Sequence, residues 1–161
     1  MFVKSSLSNP DSLELEGLDE TEKGIVLRVR SKETPRCLGC SSSYVAYHST
    51  YLRYLRDLAW LGRPVRIQFK TRRFRCLNPQ CPRKIFAESL TGVAARRARE
   101  TNRFAQTIGM VGYCLGGRPR SRLMQRLGMR ARRDTVLRRV KERSAPETET
   151  NVRVLGVDDW A

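Results

Sequence analysis

Acidic residues are nearly missing from the middle of this chain. Between Thr50 and Arg143 there are 5 Asp plus Glu against 25 Lys plus Arg, whereas the first 49 residues hold 7 against 6. A central block at net +20 repels itself unless a polyanion lies nearby. Nucleic acid is the natural candidate, because each phosphate contact releases counterions. Arginine supplies 26 of the 32 basic residues, which favours forked contacts to phosphate and guanine. Long apolar runs are lacking too. No segment could span a bilayer, and the N-terminus has no signal-peptide pattern, so an intracellular chain without a membrane partner is expected. Internal repeats are absent, and the length of 161 residues suits one ordinary domain or two small ones. Histidine occurs once, as His48.

Cysteine is sparse but arranged. Cys37-Leu38-Gly39-Cys40 and Cys76-Leu77-Asn78-Pro79-Gln80-Cys81 form two close pairs separated by a long insert. Two such knuckles can wrap one tetrahedral zinc ion and supply four thiolates. Gly39 suits the turn of the first knuckle and Asn78-Pro79 that of the second. In a reducing compartment, zinc is favoured over disulfides or inert buried thiols. His48 could replace a cysteine as ligand, but with four cysteines available it reads as a surface or strand histidine. Cys114 sits on an apolar helical face and is expected in a core.

Residues 1–12 read as a loose tail. Leu13, Leu15 and Leu18, then Ile25, Leu27 and Val29, mark two strands of a hairpin joined through the polar stretch Asp19–Gly24. Residues 44–47 suggest another strand. Residues 51–58 fit strand or a helical turn, and their place inside the zinc insert favours strand. Gly62-Arg63-Pro64 reads as a turn. Val65, Ile67 and Phe69 then alternate with Arg66, Gln68 and Lys70 as the clearest strand. The apolar phase shifts at Phe74 and Cys76, which a bulge near Thr71–Arg73 would absorb. From about Arg99 the period becomes 3.6, with Phe104, Ile108, Val111 and Leu115 on one helical face. Gly116-Gly117 ends that helix. A second helix runs through Leu123, Met124 and Leu127 to Gly128, and a third carries Val136, Leu137 and Val140.

The last two helices, joined at Leu127-Gly128-Met129, fit a helix-turn-helix, with Gly128 where positive φ suits the sharp turn. Three amphipathic helices of a plain bundle would look similar. In the first reading the third helix enters DNA. Arg132 and Arg133 then face base edges, with Arg138 and Arg139 on the same outward surface. Arg118, Arg120, Arg122 and Arg126 suit backbone contact. Residues 144–151 read as a linker. Val154-Leu155-Gly156-Val157-Asp158 is an apolar strand ending in an acid, which alone reads as an edge strand or a loose end.

Several of these pieces share one order. They are the hairpin Leu13–Arg30, Cys37 and Cys40, Arg56-Asp57-Leu58, and Gly62-Arg63-Pro64-Val65. Arg72-Arg73-Phe74-Arg75-Cys76, Asn78-Pro79, Cys81-Pro82-Arg83 and Phe86-Ala87-Glu88 follow. Gly116-Gly117-Arg118, Arg126-Leu127-Gly128, Arg133-Asp134-Thr135 and Val154–Ala161 complete the set. In these residues and their intervening lengths the chain resembles the N-terminal part of the ISL-three family of bacterial insertion-sequence transposases.

The resemblance implies an α+β chain: a hairpin and small β-rich zinc ribbon over 13–90, then a three-helix helix-turn-helix domain over 91–143. After the linker, 152–161 would be the first, truncated strand of a ribonuclease-H-like catalytic domain. Asp158 then stands where the family has the first acid of a DDE triad. The second and third acids, and the magnesium an intact catalytic domain would hold, are expected beyond this chain, which should be inactive alone. The family commonly has Gly after the first knuckle and Ser near the start of the reading helix. Here Ser41 and Arg132 stand there, so the knuckle turn should differ and a good N-cap is lost. The expected function is binding of double-stranded DNA at the element's terminal inverted repeats. A DNA-binding repressor of transposition is the alternative. Itself or full-length transposase is a candidate partner, and the bacterial cytoplasm, at the nucleoid, the expected location. The zinc would hold the arginine-bearing helices in place.

Overall fold

The computed structural model describes residues 11–90, 92–115 and 117–142, with the backbone alone for Gly117 and Arg118. The expected tail over 1–12, apart from Asp11 and Ser12, and the expected linker over 144–151 and strand over 152–161, Asp158 included, lie outside the described residues. Five strands, β1 (Leu13–Thr21), β2 (Gly24–Ser31), β3 (Val45–Trp60), β4 (Arg63–Cys76) and β5 (Ile85–Ala87), precede three helices, α1 (Asn102–Leu115), α2 (Gly117–Arg126) and α3 (Arg133–Glu142). The strands form one sheet in the order β1-β2-β4-β3, with β5 paired to β4. Among the described residues no helix is long and apolar enough to cross a membrane.

The first hairpin turns more tightly than the sequence suggests. Asp19, Glu20 and Thr21 are already paired with Val26, Ile25 and Gly24, so the connection shrinks to Glu22-Lys23. The second hairpin, β3–β4, pairs the two longest strands of the sheet, 16 and 14 residues. Its turn is Leu61-Gly62, not Gly62–Pro64, since Arg63 and Pro64 belong to β4. Leu61 (φ 48°) and Gly62 (φ 75°) both have positive φ, as a two-residue type I′ turn requires. Residues 51–58 are strand throughout.

Ile25, Leu27 and Val29 of β2 run parallel to Val65, Ile67 and Phe69 of β4. These residues, with Leu13 and Leu55, are buried in one cluster closed by Leu90, Val93 and Ala94 from the loop after β5. The shift of apolar phase in β4 has a different cause from the expected bulge. The extra residue is His48, on β3, between the pairs Tyr47–Phe74 and Ser49–Arg73. β4 itself stays in step with β3 and β5, so by alternation Phe74 and Cys76 lie on the face opposite Val65, Ile67, Phe69 and Thr71. The ribbon therefore buries one face at its centre and the other at its far end.

In α1, Phe104, Ile108, Gly109 and Gly112 are buried. A Cβ on Gly112 would sit 2.4 Å from a Val136 methyl and 2.9 Å from a Val140 methyl, so this glycine lets α3 cross α1 closely. Cys114 is exposed, contrary to the core placement expected for it. The buried stripe of α1 leaves it outside, together with exposed Met110 and Tyr113.

Candidate functional site

The four cysteines converge. Their sulfurs all lie within 4.8 Å of one another, and Cys37–Cys81 and Cys40–Cys76 are each 3.7 Å apart. A tetrahedron with metal–sulfur bonds of about 2.3 Å has edges of about 3.8 Å, whereas a disulfide needs about 2.05 Å. The donor set thus fits a structural zinc.

Local backbone bonds explain the convergence. β4 delivers Cys76, whose amide donates to the Lys84 carbonyl at 2.9 Å, and the Cys81 amide donates to the Asn78 carbonyl at 3.1 Å. The Asn78 side chain accepts from the Gln80 amide at 3.0 Å, as the Asn-Pro turn suggests. In the first knuckle the Ser41 amide donates to the Cys37 carbonyl at 2.8 Å. Ser41 itself has φ 57°, a left-handed conformation that glycine adopts at less cost. Phe74 and Phe86 close the cluster beneath the sulfurs. His48 is exposed and bonded to Ser49, outside the donor set.

Without metal the sulfurs are unequal. The Gly39 amide holds the Cys37 thiol down at about 6, against the effect of burial. The Asn78 amide pulls Cys76 the same way, but burial and neighbouring sulfurs outweigh it and push the thiol up to about 12. Burial also raises Cys81.

The helices are held elsewhere, which overturns the expectation that zinc pins them. The sulfur cluster includes no helical residue. Instead Leu58 and Ala59, at the other end of β3, pack on Phe104, Ile108, Met124 and Met129. Two buried acids fasten this contact. Asp57 accepts from the Thr101 hydroxyl at 2.7 Å and from Arg103 Nε at 2.8 Å. Thr101 in turn caps α1 by accepting the Phe104 amide at 3.2 Å. Glu100 takes Arg56 of β3 at 2.9 Å and Arg139 of α3 at 2.6 Å. Arg56 also donates to the Arg130 carbonyl at 3.0 Å and lies over the Phe104 ring. The sequence signal for this device was the scarcity of acids. Of the five in the basic block, Asp57, Glu88 and Glu100 accept arginines while almost wholly buried.

The turn between α2 and α3 closes as a Schellman motif: the Met129 amide donates to the Met124 carbonyl at 2.8 Å and the Gly128 amide to Gln125 at 3.1 Å. Gly128 has the expected positive φ, 72°. A Cβ there would also sit 2.1 Å from the Gly62 carbonyl, so the β3–β4 tip abuts this turn.

The arginines singled out in the sequence divide. Arg122 and Arg126 on α2, and Arg132, Arg133 and Arg138 around α3, are exposed. Arg138 stands 3.8 Å from Glu142. Arg120 is buried. Arg139 is committed to Glu100 and Glu142, and these carboxylates raise its pKa against the opposing effect of burial. The side chain of Arg118 lies outside the described residues. The Arg132 carbonyl accepts the Val136 amide at 3.1 Å, which puts an arginine, not a capping residue, at the N-cap of α3.

Residues 33–82 match the family model described as the zinc-finger of transposase IS204/IS1001/IS1096/IS1165. This supports an ISL-three-type transposase N-terminal region. Neither the search of curated proteins nor that of solved structures returned a match.

Proposed function

We propose that this chain is the DNA-binding N-terminal part of an ISL-three transposase and recognises the terminal inverted repeats of its element. The observation that carries this reading is the four-sulfur cluster, lying within the segment that matches a transposase zinc finger. The zinc is structural, since all four positions of a tetrahedral shell are taken by protein thiols. α2 and α3, with their tight Gly128 turn, act as a helix-turn-helix. Arg132 and Arg133 lead α3 toward base edges, while Arg122, Arg126 and Arg138 hold phosphates. Arg120 and Arg139 position the helices. Asp158 is the first acid of a catalytic triad whose other acids, with magnesium, belong to a further domain.

Binding of the purified chain to end duplex and to a shuffled duplex of equal length tests the reading. End DNA should bind more tightly. Arg133→Ala should cost about 1–3 kcal/mol on end DNA and less on the shuffled duplex if it touches a base. Equal wild-type affinity for both duplexes would refute recognition of the repeats.

A further inference from the structure

Between the β3–β4 hairpin, residues 95–100 and the start of α3 lies a cleft of about 840 Å³ whose lining includes eight arginines and one acid, Glu100. That acid is already taken by Arg56 and Arg139. Among the described residues, no side-chain hydrogen bond or ion pair engages Arg66, Arg96, Arg97, Arg99 or Arg132. Arg66 lies directly across from Arg56 in the β3–β4 ladder, an arrangement of like charges that weakens a sheet.

The wall formed by residues 95–99 is built, not loose. The Arg53 guanidinium donates to the Ala98 carbonyl at 2.7 Å, and the Arg56 amide donates to the Arg99 carbonyl at 3.0 Å. Arg97 is held in the left-handed region at φ 61°, where a non-glycine residue is strained. The backbone of this wall is fixed while its arginines stand free. Such a concentration of unpaired guanidinium groups on a fixed frame has a negative counterpart.

We infer that this cleft is a second DNA-contact site, which takes the phosphate backbone of the duplex beside the groove entered by α3. The inference rests on the DNA-binding reading above, and the geometry supplies the continuity. Arg132 at the N-cap of α3 and Thr135 and Arg138 within it line the cleft together, so a strand contacted by α3 runs directly into the cleft. Arg66, Arg96 and Arg97 then neutralise phosphates and carry no base preference.

The test is the dependence of duplex affinity on salt, for the full chain. Each lost phosphate contact makes the slope of log affinity against log salt shallower by about 0.9. Arg96→Ala/Arg97→Ala should flatten the slope by about two such steps and Arg66→Ala by about one, with equal affinity loss on end and random duplex. The lysine versions should restore the slope. Arg28→Ala, outside the cleft, should leave it unchanged. Circular dichroism and zinc content should match the wild type, because the three cleft side chains have no internal partner to lose. Slopes unchanged in the cleft variants, with normal wild-type binding, would overturn the cleft alone. A wild type that binds no duplex would sink the DNA-binding reading itself. Loss confined to single-stranded DNA would overturn the assignment to a duplex backbone.

Discussion

At the centre of the β3–β4 hairpin, side chains from four strands and one loop bury a continuous apolar cluster. At its far end the cluster consists of Phe74, Phe86 and thiols, with Val45 at the margin. The central part can exclude water by itself. The far end has too few apolar groups to offset the ordering of two knuckles, and burying sulfur protons without metal leaves Cys76 and Cys81 poor ligands until the ion displaces them. One sheet thus contains a region stabilised by burial and a region stabilised by coordination.

The sharpest way to break this comparison is Cys76→Ser. Zinc coordination in small modules is worth on the order of 10 kcal/mol, so loss of one ligand should abolish stoichiometric zinc by native mass spectrometry. Amide exchange should rise in residues 36–44 and 77–86 while Leu27, Ile67 and Phe69 keep their protection. Collapse of both regions together would show that they are one cooperative unit.

Asp57→Ala attacks the other side. It leaves the Arg103 guanidinium and the Thr101 hydroxyl without their buried acceptor, and breaking such a pair costs about 3–5 kcal/mol. Chemical denaturation should show that loss in the helices and the strand beneath them, with zinc retained at native conditions.

Acid should separate the regions reversibly. Zinc binds thiolates, and in the metal-free cluster Cys76 and Cys81 hold their protons above the neutral range, Cys76 up to about 12. Binding therefore releases protons, and affinity rises with pH. Competition with a chromogenic chelator should show at least a tenfold gain per pH unit around neutrality, the effect of one displaced proton. A flat profile would contradict the raised thiols. The smallest effect belongs to the hairpin tip. Leu61 occupies a left-handed position before Gly62, where Asn is preferred. Leu61→Asn should raise the melting temperature, by up to about 1 kcal/mol of stability, without touching zinc content.

The sequence made the local features legible. The cysteine spacing, the alternation Val65–Phe69, the helical stripe from Phe104 and the glycine at position 128 each depend on neighbours within a few residues. The family likeness also singled out Arg56-Asp57 without giving its role. That role depends on Glu100, Thr101 and Arg103, more than forty residues away, and only the folded chain shows it. The change of buried face in β4 was visible as a phase shift, but periodicity could not distinguish a bulge from a second core on the opposite side. Cys114 belongs to an apolar run of the helix yet lies off the stripe that Phe104, Ile108 and Gly112 bury, on the side of exposed Met110 and Tyr113. The placement of the metal far from the helices had no local signature at all.

The contact between the Gly62 carbonyl and Gly128 sets a length as well as a joint. From that tip to Cys76 the ribbon runs 14 residues, roughly 45 Å at strand rise, more than the roughly 35 Å of one B-DNA turn. The metal is carried at the end of a rod whose other end is seated on the helices. Inserting two paired residues in each strand would push the ion outward by about 7 Å and keep it on the same side, whereas inserting one would turn it to the opposite side.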